Sequence, residues 1–180
     1  MFYQTTYDSP VGLLTLASDG ESLIGLWLEN QKYFADNFPE EWEANDCLPV
    51  FEVTTKWLDR YFSGKQPSLV AIPLAPIGSA FRQAVWRLLQ EIPYGQVMTY
   101  GEIAEKIAGE QGRATMSSQA VGGAVGHNPI SIIIPCHRVV GSNGNLTDYA
   151  GGITNKVKLL TLEAVDMTSL YVPKHGTSRN

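Results

Sequence analysis

The sequence predicts an α/β fold of the α+β kind: an antiparallel sheet with one helix, followed by a mainly helical half. Three observations lead there. Short, strand-like apolar runs separated by turn residues fill the first thirty positions, which is how half-buried strands read. Beyond residue 78 the apolar residues recur at spacings of three and four, as amphipathic helices require. Charge is also divided. Residues 1–75 hold 4 Lys+Arg against 11 Asp+Glu, net −7; residues 76–164 hold 7 against 6, net +1; residues 165–180 hold 2 against 1, net +1. This division predicts two modules, 1–75 and 76–165, and a loosely held tail over 166–180.

Residues 2–7, 12–17 and 23–28 read as a β-meander, punctuated by Asp8-Ser9-Pro10 and Ser18-Asp19-Gly20. The acidic stretch 40–46 is expected as a loop or helix start. Val50, Phe51, Val53, Trp57, Leu58, Tyr61 and Phe62 fall on one face of a helix that Gly64 closes. Residues 69–74 read as a further strand, and the Pro- and Gly-bearing stretch 75–78 as the boundary between modules. Phe81, Val85, Leu88 and Leu89 mark a helix over about 79–92, stopped by Pro93-Tyr94-Gly95. Thr99-Tyr100-Gly101-Glu102 is a capping box, whose hydroxyl and carboxylate each satisfy an orphan amide. It opens a helix to about residue 108. A linker over 109–116 leads to a third helix from about 117 to 126. Residues 130–135 are a buried-strand candidate and Tyr149-Ala150-Gly151-Gly152 a tight turn. Val157, Leu159, Leu160, Leu162 and Val165 form the last helix.

At 180 residues and 44% hydrophobic, with 17% charged, the chain excludes a disordered or fibrous protein. No apolar stretch nears the ~18–20 residues of a membrane helix, and the opening residues show neither a basic start nor an apolar run, so no secretory signal is expected. Cys47 and Cys136 cannot form a disulfide framework, and no second pair suggests zinc. A reducing cytoplasm, no membrane, no metal and no cofactor are therefore expected. A net charge of −5 speaks against strong phosphate binding, but the C-terminal module is free of that excess.

Two short helices joined by a turn fit a helix-turn-helix, or an ordinary helical hairpin. The second contains Gln119-Ala120-Val121-Gly122-Gly123-Ala124, and a glycine inside a helix costs roughly 0.5–1 kcal/mol relative to alanine. Two in succession point to close approach of a ligand or to tight packing on a neighbouring strand. Ile134-Pro135-Cys136-His137-Arg138 sets a cysteine at the edge of a core. A thiol becomes a nucleophile when a base or positive charge favours the thiolate. His137 is placed to take its proton, directly or through a water, and a carboxylate would orient the imidazole. Otherwise Cys136 is a small buried hydrophobe, which is the reading taken for Cys47.

Pro135-Cys136-His137-Arg138-Val139 resembles the active-site motif of the O6-alkylguanine-DNA alkyltransferases, also called methylated-DNA–protein-cysteine methyltransferases. The likeness extends through Phe81-Arg82, Ile92-Pro93-Tyr94-Gly95, Thr99-Tyr100, Ala120-Val121-Gly122-Gly123-Ala124, Asn128-Pro129, Tyr149-Ala150-Gly151-Gly152 and Leu159-Leu160-Thr161-Leu162-Glu163. It covers about residues 78–164. The resemblance implies a ribonuclease-H-like N-terminal domain over 1–75 and a DNA-binding, active-site domain over 76–165. It also implies irreversible, single-turnover transfer of an alkyl group from O6-alkylguanine or O4-methylthymine in duplex DNA to Cys136.

By the same resemblance His137 is the base, Glu163 the carboxylate that orients it, and Asn128 the brace between recognition helix and active-site strand. From the residues alone, Glu163 is also readable as a solvated helix end and Asn128 as a helix C-cap. Tyr100 matches the tyrosine that turns the 3′ phosphate and protonates the leaving base, and Tyr149 the one on which the extruded base packs. The Val139 carbonyl and the Ala150 amide match groups reading guanine edges. Gln119, Ala120, Gly122, Gly123 and Arg138 fall among the DNA-contacting positions, and small residues suit the minor-groove contact the family makes. Gln119 stands where many members carry a wedging arginine. Arg113, in the linker, is available to phosphates, and Asp148 is expected to point to solvent. A monomer is expected. The rivals are a module that binds alkylated bases without repairing them, and a cysteine hydrolase using Cys136 and His137.

Overall fold

Ser9 Oγ accepts the Val11 amide at 3.1 Å and donates to the Gly12 carbonyl at 2.7 Å, which folds the first hairpin. The turn joins β1 (Tyr3–Ser9) to β2 (Gly12–Ser18), antiparallel with Ser9 opposite Gly12. Gly12 has φ +100°, a backbone that glycine adopts without strain. β3 (Leu23–Leu28) pairs with β2 and is buried along its whole length, so LIGLWL reads as an unbroken apolar run. These elements belong to a computed structural model that describes residues 1–36, 38, 41–147 and 149–173.

The acidic stretch expected as a loop or helix start contributes a fourth strand, β4 (Glu43–Ala44), parallel to β1. The sheet order is β3-β2-β1-β4. β4 is an exposed edge held by backbone bonds, Glu43 N to Phe2 O at 3.0 Å and Asn45 N to Gln4 O at 3.1 Å, which no side-chain pattern announces. Glu40 lies outside the described residues. Helix α1 (Pro49–Phe62) starts with proline at its first turn, where a missing N–H costs nothing. It buries Val50, Phe51, Trp57, Leu58 and Tyr61.

Residues 69–74 are not the strand that their apolar content suggests. Ile72 N bonds Leu69 O in a turn, Val70 is 94% exposed, and only Leu74 bridges the sheet, at Leu23. Pro73 deprives the stretch of a ladder donor.

The second half opens with α2 (Ala80–Leu89), capped by Ser79 Oγ on the Arg82 amide. It ends before Ile92, because a residue preceding proline is pushed out of the helical region. β5 (Met98–Thr99) leads into α3 (Tyr100–Glu110), and both bonds of the Thr99–Glu102 capping box are present at 3.0 Å. Ser117 caps α4 (Ser118–Gly126). Contacts among α2, α3 and α4 make the helix-turn-helix.

The buried-strand candidate 130–135 is a compact turn instead. Ile130 bridges Leu26, Ile132 takes φ +71°, and Cys136–Arg138 form one turn of 3-10 helix. Ile130, Ile132, Ile133 and Ile134 are all buried, so composition alone mimics a strand. Regular pairing resumes only at β6 (Val139–Val140), parallel to β5. The last helix, α5, spans Ile153–Leu162.

The tail is held further than expected. Leu146 N bonds Tyr171 O and Tyr171 N bonds Gly144 O, each at 2.9 Å. Met167 and Leu170 pack on Val140, Leu146, Leu160 and Val165. Residues 174–180 of that expectation lie outside the described ones. One main core joins Leu26, Leu28, Phe51 and Tyr61 from the first half to Trp86, Ile103, Val121, Cys136 and Leu159 from the second.

Candidate active site

Asn128 holds the irregular turn in shape. Its Nδ2 donates to Ile134 O at 2.7 Å and to Ile130 O at 3.4 Å, and its Oδ1 accepts the Ile130 amide at 3.1 Å. The C-cap of α4 is His127, so Asn128 is a brace rather than a cap, and at 2% exposure it is not a surface contact. Cys136 follows on this turn, 3% exposed. Burial pushes its thiol up, while the Asn128 amide and the Lys156 ammonium pull the other way. The thiol therefore keeps its proton at rest and needs a base.

His137 Nε2 bonds Glu163 Oε2 at 2.7 Å, both side chains fully buried. Glu163 is thus no solvated helix end. Arg138 binds the same carboxylate from Nε at 2.7 Å and from Nη2 at 3.1 Å, and the Tyr61 hydroxyl donates to Oε2 at 2.5 Å. Burial alone would raise the Glu163 carboxyl, but the bonds from His137 and Arg138 outweigh it and hold it at about 2. Burial pushes His137 down against the pull of Glu163, with Arg138 and Lys156 adding to the fall. The pair is therefore a neutral imidazole on an ionised carboxylate. Nε2 must donate to that anion, which leaves the lone pair on Nδ1, and Nδ1 has no hydrogen-bond partner among the described residues.

Beside the thiol lies a cavity of about 150 Å³, lined by Lys32, Tyr33, Tyr100, Gly122, Cys136, Thr147, Tyr149 and Ala150 among others. Volumes of that order take up a single aromatic ring. The buried Tyr149 hydroxyl lies beside Cys136 and Ser131; burial first, then Cys136, push it well above the phenol range. Gly151 keeps this wall thin, since a Cβ there would meet Tyr149 at 2.8 Å and Leu28 at 3.0 Å. The Tyr100 hydroxyl lies 3.4 Å from Thr147 Oγ1. Tyr100, Gly122 and Thr147 also line a wider groove of about 930 Å³ that includes Thr99, Gln119 and Gly123. The cavity thus opens onto the face of α4. Among the described residues, nothing outside the backbone of α4 lies within 4 Å of a Cβ built on Gly123, so packing on a neighbouring strand does not explain that glycine.

Three expected positions sit differently from their sequence reading. Arg138 points inward, with Nη1 on Ile92 O at 2.7 Å, two nitrogens on Glu163 and its guanidinium over Tyr94. The buried Val139 carbonyl already accepts the Lys156 ammonium at 2.6 Å. Ala120 turns away from the cavity, into a groove with Arg87 and Arg113. Asp148 lies outside the described residues.

Sequence reasoning missed Lys156, Tyr61, Thr147 and the Lys32–Tyr33 pair. Lys156 sits three and four residues before Leu159 and Leu160, on the buried stripe of α5, and a lysine on such a stripe is a readable signal. Tyr61 stood on the apolar stripe of α1 with no hint of its polar partner. Among the described residues, no group of three or more His, Cys, Asp or Glu is placed to hold a metal ion, and no helix is long and apolar enough to cross a membrane.

Fold and site together define a class: a helix-turn-helix protein with a buried cysteine next to an imidazole–carboxylate pair. Two family models match the chain, the 6-O-methylguanine DNA methyltransferase ribonuclease-like domain over residues 2–76 and the DNA binding domain of the same family over residues 80–165. The chain belongs to the 6-O-methylguanine DNA methyltransferase family. It is 47% identical over 163 residues to the methylated-DNA–protein-cysteine methyltransferase of Haemophilus influenzae, covering 91% of this chain and 87% of that protein. The namesake from Methanosarcina acetivorans is 41% identical, over 89% of this chain and 97% of its own. Among solved structures, Mycobacterium tuberculosis OGT in complex with DNA superposes with a TM-score of 0.77 at 40% identity, over 90% and 92% of the two chains.

Proposed function

We propose that this chain repairs DNA by moving an alkyl group from the O6 of alkylguanine, and from O4-methylthymine, onto its own Cys136, once per molecule. The observation that carries the reading is a buried thiol on the same turn as an imidazole whose Nδ1 has no partner among the described residues, in a cavity opening onto α4. The lesion oxygen lies inside the duplex, so the nucleotide is extruded into the cavity. Tyr149 and Ala150 then wall the base, while Gln119, Gly122 and Gly123 face the helix it left.

Cys136 passes its proton to His137 Nδ1, directly or through a water, and Glu163 stabilises the imidazolium. The thiolate attacks the alkyl carbon; the S–C bond forms as the C–O6 bond breaks, and the electron pair leaves on the base. Tyr100 supplies a proton to that base and recovers one from the imidazolium. The product is a thioether, which is no leaving group in water, so the molecule is spent. This chemistry needs no metal or cofactor. Two units, 1–75 and 76–165, acting as a monomer are part of the reading. Two free thiols, Cys47 and Cys136, support a cytoplasmic address.

Incubation with a duplex carrying O6-methylguanine should add one methyl mass to Cys136, stoichiometrically. An unmodified chain, or sustained turnover by one molecule, overturns the proposal. Cys136→Ala should abolish transfer and keep duplex binding, read by gel shift; loss of both would mean that the thiol is structural.

A further inference from the structure

Glu163 Oε2 accepts from three residues at once: His137 Nε2 at 2.7 Å, Tyr61 Oη at 2.5 Å and Arg138 Nη2 at 3.1 Å. Two of these donors come from the turn that carries the thiol. The third comes from α1, 102 residues earlier in the chain. Tyr61 is 1% exposed, and its ring stacks on Trp57 at 5.2 Å and meets Tyr94 edge-on at 6.4 Å. Its hydroxyl is therefore held by packing rather than by the carboxylate it serves. A phenol so placed fixes which way the Glu163 oxygens point, and drains charge from the oxygen that faces the imidazole.

We propose that Tyr61 is a positioning residue through which the N-terminal half sets the orientation and basicity of the His137–Glu163 relay. The inference rests on the functional reading above and adds to it a task for the first module. Several other groups share the surroundings: Cys136 and Arg138 on the same turn, Tyr149 and Lys156 before and within α5, and Tyr94 after α2. Tyr61 is the one contributed by α1. A hydrogen bond donated to a carboxylate stabilises the anion and weakens its hold on a neighbouring proton. Tyr61 therefore keeps His137 less basic than the carboxylate alone would make it, and so neutral while the protein waits for damage.

Tyr61→Phe removes one oxygen and keeps the ring. Two readouts are taken on the full chain, the pH dependence of single-turnover methyl transfer and the NMR titration of the His137 ring. The variant should transfer roughly 10-fold more slowly near neutral pH, a fraction of the ~10²–10⁴ that positioned proton transfer supplies. The acid limb of its profile and the ring titration should both move to higher pH, with duplex affinity unchanged. Val53→Ala, on the same helix and away from Glu163, serves as a control for lost stability and should leave both readouts in place. If the Tyr61→Phe profile and titration superimpose on the parent's, or if Val53→Ala shifts them equally, the inference is wrong. A parent chain that takes up no methyl would sink the functional reading instead, while the ring titration still judges Tyr61.

Discussion

A buried carboxylate keeps its charge only if donors surround it, and Glu163 receives four, from Tyr61, His137 and two nitrogens of Arg138. This makes the folded state acid-labile in two steps. His137 titrates below its ordinary 6.5 in the folded chain, so the unfolded chain binds the proton first and stability falls as pH drops below about 6.5. Glu163 is held at about 2 against 4.5, so its contribution, on the order of 3 kcal/mol, is complete above about 4.5 and is lost as pH falls toward 2. Urea midpoints measured from pH 8 to pH 3 should decline in that order, and Glu163→Gln should flatten the lower step. At this scale the motif around Cys136 was legible because its residues are contiguous. Tyr61 was not, since a stripe of apolar spacing says where a ring is buried and nothing about what its hydroxyl meets.

Helix α4 carries small residues at the groove and relies on α2 and α3 for its position. Its Gly123 costs the helix stability without relieving any internal crowding, as the open space beyond its Cα shows. Gly123→Ala should therefore raise stability by about 0.5–1 kcal/mol, read as a higher thermal midpoint. Gly123→Leu should leave the fold intact and weaken duplex binding by gel shift, because it fills the approach to the groove. Gly78 behaves in the opposite sense: a Cβ there would overlap the Trp86 ring, so alanine should lower the midpoint. The amphipathic faces of α1 and α2 and the capping box of α3 were readable, because each signal is local. The two misread strands, 69–74 and 130–135, are apolar segments whose backbone bonds go to turns, to Asn128 and to single bridges. Hydrophobicity reports burial there, and the partner of each amide is a tertiary matter.

Across the molecule, the boundary seen in charge and composition is absent from the core. Leu28 of β3 leaves no room for a side chain at Gly151, the Leu26 amide bonds Pro129 O at 2.8 Å, and the Lys32 amide bonds Ala150 O at 3.0 Å. Two halves tied at this many points should unfold together. Denaturant curves followed by far-ultraviolet circular dichroism and by tryptophan fluorescence, from Trp27, Trp42 and Trp57 in one half and Trp86 in the other, should coincide in one transition. Separate midpoints would mean that the halves are independent. The charge division suggests two modules, and the contacts that tie the halves together were not legible, because contacts between halves leave no periodic trace.

The two cysteines differ in a way that matters to anyone counting them. Cys47 lies open on the surface and Cys136 at the bottom of a narrow chamber, so a bulky maleimide reads the first and is blind to the second. A fresh molecule and an expended one give the same label, and a thiol assay gauges how much protein is present rather than how much protection against mutation is left.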